Sequence, residues 1–134
     1  MSAWILRFSD RKFTFGPRKS VIVLHVTKDG EETELEVLEG GWEEDSGLRG
    51  LVRGQIEQGR ERLILDLSSV ERIDSTGVGD FVSVWQHAKN SGGELVLASL
   101  QPGVRDIFAI LYLDKVIPIF DAISEAVEYL NEDG

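Results

Sequence analysis

Residues 63–85 read LILDLSSVERIDSTGVGDFVSVW, and the fold turns on how this stretch is read. Leu63, Ile64, Leu65 and Leu67 around Asp66 make a short, partly branched apolar run, which predicts a buried strand. Ser68 and Ser69 interrupt the run, residues 70–73 continue extended, and Asp74-Ser75-Thr76-Gly77 turns the chain into a helix. Val78, Phe81, Val82, Trp85 and Ala88 recur at helical spacing, so one side of that helix is expected to face a core. Asp74 or Ser75 takes the N-cap position. A hydroxyl at that corner stands where first-turn N–H groups and the positive end of the helix dipole converge, a place suited to an anion or to a covalently attached phosphate. The same four residues also suit a plain cap with a tight turn, and residue chemistry leaves both readings open.

Downstream, Ser91-Gly92-Gly93 ends the helix and residues 94–100 give a strand centred on Leu95-Val96-Leu97. Pro102 suits a first helical position, with Val104, Ile107, Phe108 and Leu111 as the inward stripe. Residues 116–119 read as a short edge strand because of Pro118, and Asp121 caps a last helix with Ile123, Ala126, Val127 and Leu130 inward. Upstream, residues 21–26 and 33–38 form two strands about an Asp29-Gly30 turn, Leu35 and Val37 alternating with Glu34 and Glu36. A helix follows, capped by Asp45 or Ser46, with Leu48, Leu51, Val52 and Ile56 on its apolar stripe and Gly59 as its stop. In residues 1–19, Trp4 to Phe8 and Phe13 to Phe15 have strand character, expected to pair at a sheet edge or to serve self-association.

The resulting expectation is an α/β fold: a single mixed sheet, opened by an N-terminal antiparallel hairpin and continued by parallel strands, packed with about four helices. In such sheets, sites gather at the C-terminal ends of the strands, where the Asp74–Gly77 turn falls.

The 134 residues suffice for one domain, and 42% hydrophobic with 28% charged residues fits a soluble globular chain. With no cysteine, disulfides and thiolate chemistry are excluded. A net charge of −10 argues against general nucleic-acid binding, and no apolar run reaches a membrane-span length, so neither nucleic acid nor membrane is an expected partner. The start of the chain lacks a signal-peptide core, and a cytoplasmic location is expected. Residues 29–45 hold nine acids and no base: either a solvated face or a steering surface for a basic partner. No enzyme is expected. His25 and His87 read as structural or solvated, Ser75 has no evident base, no phosphate-binding glycine loop occurs, and no cofactor or metal is implied.

Beyond residue chemistry, Asp66-Leu67-Ser68, Val70 and Ile73-Asp74-Ser75-Thr76-Gly77-Val78-Gly79 together strongly resemble the STAS domain of anti-sigma-factor antagonists. Gly92-Gly93-Glu94-Leu95-Val96-Leu97 and the proline-started helix come next in family order. The similarity covers residues 20–131, leaving 1–19 as an N-terminal extension and 132–134 as a tail. It implies a binding module whose serine, here Ser75 with Thr76 as the alternative acceptor, is phosphorylated by a partner anti-sigma-factor serine kinase and restored by a PP2C-type phosphatase. The partner-binding residues it implies are Asp74, Ser75, Thr76, Gly77, Val78, Gly79 and Asp80, with Glu43 standing where the family usually has aspartate. The alternative is a non-switching scaffold in a stressosome-like or transporter-associated assembly, with homo-oligomerisation through residues 1–19.

Overall fold

Strand β5 (Arg62–Asp66) lies between two parallel neighbours, β1 (Trp4–Phe8) and β7 (Glu94–Ala98), and Leu63, Ile64 and Leu65 are buried completely. The computed structural model describes residues 3–8, 13–15, 20–28, 31–40, 47–68, 70–73 and 75–132. Its main sheet runs β4-β3-β1-β5-β7-β8, with β3 at Ser20–Lys28, β4 at Glu31–Gly40 and β8 at Ile119–Phe120. A second sheet pairs β2 (Phe13–Phe15) with β6 (Val70–Ile73) in parallel.

Side chains alternate across the main sheet, as the two-residue period of a strand requires. Leu6, Leu63, Leu65, Leu95 and Leu97 enter one core with Val52, Phe81, Val84, Val104 and Phe108. The helical members of that core come from α1 (Gly47–Glu57), α2 (Ser75–Asn90) and α3 (Pro102–Ile110). Ala3, Ile5, Ile64, Val96 and Ala98 enter the other core, covered by Ala126 and Leu130 of α4 (Ile123–Glu132). Apolar on both faces, β5 and β7 are the buried parallel strands that helical crossovers produce.

The expected fold class needs correction. The centre of the sheet is four strands, β1, β5, β7 and β8, all parallel, and among the described residues β2 and β6 pair apart from it. The hairpin does not lead the sheet: β3 and β4 pair antiparallel from Lys28↔Glu31 to Ser20↔Gly40, but β3 joins the sheet through β1, on the side away from β5. Nor does β1 lie at an edge, since it is hydrogen-bonded to β3 and β5. The reason is visible in its side chains. Ile5 and Leu6 point to opposite cores and both are buried, so an edge position would leave this apolar surface wet.

Smaller differences have equally local causes. Val84 is buried on α2 while Val82 and Trp85 only flank the core, because the stripe runs through Val78, Phe81, Val84 and Ala88. Leu111 is half exposed, since α3 stops at Ile110 and Tyr112 turns left-handed at φ 60°. Residues 113–115 then form a 3₁₀ turn and Val116 lies open, which delays the edge strand to Ile119. Together Ile110, Leu111, Tyr112 and Val116 are the large exposed apolar residues among those described. Gly59, at φ 82°, comes after α1 in a conformation that a glycine adopts without strain.

Two experiments probe this architecture. A Cβ at Gly93 would collide with the backbone carbonyl of Glu61, which already accepts the Glu94 N–H at 2.8 Å. Gly93→Ala should therefore cost about 1–3 kcal/mol, read as a lower urea midpoint, and an unchanged midpoint would refute the close packing. Deleting residues 1–8 removes the strand between β3 and β5. Circular dichroism with light scattering should show loss of cooperative unfolding, whereas a lighter but fully folded particle would assign those residues to assembly alone.

Candidate functional site

The corner entering α2 is built from the end of β5 outward. Asp66 closes the apolar run, buried, and its Oδ1 accepts the Ser68 N–H at 3.0 Å. The Leu67 N–H donates to the Ala98 carbonyl at 3.0 Å, holding this exit against the end of β7. The Val70 N–H donates to the Leu67 carbonyl at 3.0 Å, a tight turn that swings the chain out of the main sheet and into β6. Val70 and Ile73 then anchor β6 in the larger core, with α3 packed against it. From there the chain reaches α2.

Ser75 and Thr76 are the first two residues of α2. The first turn holds no acidic side chain, and His87 and Lys89 stand in the last turn, so the helix's own charges favour an anion at its start and cations at its end. Gly77 and Val78 are buried at the root of the turn, and Gly79 is exposed, with nothing within 4 Å of where a Cβ would stand. Asp80, expected among the partner contacts, is only 2% exposed and lies beneath that surface. Asp74 and Glu43 fall outside the described residues, as do the expected caps Asp45 and Ser46 and the Asp29-Gly30 turn.

Histidine is poorly placed for nucleophile activation from this helix. His87 is exposed and twelve residues beyond Ser75, about 18 Å along the axis. Among the described residues no cluster of His, Cys, Asp or Glu is arranged to hold a metal ion, and no helix is long and apolar enough to cross a membrane.

Sequence reasoning missed a second set of residues at the same end of the sheet. Ser99, just past β7, is left-handed at φ 60°, and Gln101 Nε2 donates to the Ser68 carbonyl at 2.8 Å. Arg105 pairs with Asp121, joining α3 to the segment before α4. That ion pair is exposed and contributes little to stability. The only sequence signal for this group was its place after the strand at residues 94–98.

The family model for the STAS domain matches residues 42–126, more than half of the chain. A Thermotoga maritima protein named "Putative anti-sigma factor antagonist" is 36% identical over 73 residues, covering 54% of this chain and 65% of that protein. The anti-sigma F factor antagonist of Paenibacillus polymyxa is 26% identical over 76 residues, covering 53% of this chain and 65% of the relative. The chain thus spans just under two thirds of the length of these curated relatives. A crystal structure of a Thermotoga maritima protein with the same name as the first relative superposes with a TM-score of 0.55 and 30% identity, over 60% of this chain and 73% of that one.

Gly79 supplies a test of whether the corner is kept for folding. An added methyl meets no atom of the fold and raises helix propensity, so Gly79→Ala should stabilise the protein by about 0.4–1 kcal/mol in urea unfolding. A loss of stability would show that the glycine serves the fold.

Proposed function

This chain belongs to the STAS domain family, and from that premise we propose that it is a binding module of the anti-sigma-factor-antagonist kind, switched by phosphorylation of Ser75. Its partner is an anti-sigma factor that is also a serine kinase, a PP2C-type phosphatase removes the mark, and the protein acts in the cytoplasm by binding, with no chemistry of its own. The observation that carries this reading is the position of Ser75 as the first residue of α2, with the exposed, bare Gly79 one turn further on.

Placement there suits a switch that leaves the fold intact. A phosphoserine carries about −1.5 to −2 charges, and a helix N-terminus accommodates that charge favourably. The fold therefore need not rearrange. The partner's surface meets the added charge and bulk, and a loss of about 3 kcal/mol there weakens association more than a hundredfold. Thr76 is the neighbouring hydroxyl and the alternative acceptor.

Incubation with ATP and the purified kinase domain of the cognate anti-sigma factor should add one phosphate by intact mass, retained in Thr76→Ala and absent from Ser75→Ala. Calorimetry should show Ser75→Asp binding that kinase domain at least tenfold more weakly than the unmodified protein. A phosphate that persists in Ser75→Ala, or equal affinity for Ser75→Asp, rejects the switch.

A further inference from the structure

We propose that Gln101 is a positioning residue for the Ser75 corner, coupling the start of α3 to the start of α2 through the Ser68 carbonyl. Gln101 occupies the N-cap position of α3, in extended backbone at φ −68° and ψ 153°, and its side chain makes no cap bond to its own helix. Its amide is directed elsewhere. Nε2 donates at 2.8 Å to the carbonyl of Ser68, a residue 33 positions earlier. The N–H of that same Ser68 is taken by Asp66 Oδ1. Both backbone polar groups of Ser68 are thus fixed by side chains, one from the end of β5 and one from the loop after β7.

That double hold matters because of the short segment it positions. Ser68 leads into β6, a four-residue strand that is outside the six-stranded sheet and, among the described residues, pairs only with the three-residue β2. Its ladder gives β6 little registration, and the corner at Ser75 comes directly after it. Apolar contacts of Val70 and Ile73 bury the strand, but such contacts are non-directional, whereas a hydrogen bond to Ser68 fixes where the strand begins. Ser99, two residues before Gln101, takes a left-handed conformation that is uncommon outside glycine, and it directs the chain leaving β7 into the loop from which Gln101 reaches Ser68. A partner pressing on the α3 start therefore also shifts the start of β6, and with it the presentation of Ser75.

The functional meaning rests on Ser75 being the modified residue, but the coupling is tested separately, on the unmodified protein alone. Amide hydrogen exchange is measured in the wild type, Gln101→Ala, Gln101→Glu and Gln101→Lys. Loss of one modest hydrogen bond corresponds to a factor of roughly three to ten. Gln101→Ala and Gln101→Glu, which lack the N–H donor, should accelerate exchange at residues 70–77 by that factor, with β5, β7 and α4 unchanged. Gln101→Lys restores a donor and should return exchange toward the wild-type rate. Unchanged exchange at 70–77, uniform acceleration throughout the protein, or no rescue by Gln101→Lys overturns the proposal. Faster exchange at the corner in a protein that no kinase phosphorylates at Ser75 would reject the switch and retain the coupling.

Discussion

Everything in this structure depends on one strand being dry on both faces. Leu63, Ile64 and Leu65 of β5 are fully buried between parallel neighbours. A parallel neighbour cannot be reached by a tight turn, so the chain must cross over through helices, and those helices supply the cover that the strand needs. The same constraint decides where polar chemistry gathers. Asp66 is where the apolar run of β5 ends, and its carboxylate is satisfied by the loop it begins. The corner at Ser75 and the start of α3 both lie beyond the ends of strands that could not themselves carry a polar site.

Cover on the two faces is unequal. One side has α1, α2 and α3 around a large core, with Phe81 and Phe108 meeting edge to face at 6.1 Å. Among the described residues the opposite side is covered by α4, against a surface kept shallow by Ala3, Ala98 and Ala126. Small residues let one helix sit close, and its contact is completed by Phe120 against Tyr129 and by the Tyr129 hydroxyl donating to Glu94. The thicker side is the one from which the Ser75 corner emerges. A charge added there acts on a surface whose support is deep, which fits regulation at an interface better than regulation by unfolding.

Much of this was legible in the sequence because local signals and tertiary demands agree. The β5 run, the start of α2 near Ser75, most of the α2 stripe and the proline start of α3 are all read from residues close to one another. What was lost needed information about distant partners. The apolar residues from Trp4 to Phe8 announce a strand but cannot say that β5 is its neighbour, so an interior strand reads as an edge strand. The choice between Val82 and Val84 on α2 turns on a small rotation of the stripe, which packing fixes. Gln101 had no signal beyond its place after a strand, since its partner is a backbone carbonyl in another loop. The role proposed for Ser75 came from family resemblance; the cap chemistry alone allowed two readings.

The placement of β1 has a consequence for how the chain is made. β1 leaves the ribosome well before β5, and Trp4 must wait for Leu63 before the parallel ladder can form. Until then β1, β3 and β4 can pair only with one another, leaving β1 open on the side that β5 later takes. That open side is a ready template for a neighbouring nascent chain, and long-range pairing of this kind is slow to close. The order of synthesis therefore leaves the middle of the sheet until late, and until β5 arrives the nascent chain carries an open side on β1 in addition to the β4 edge that the folded sheet keeps.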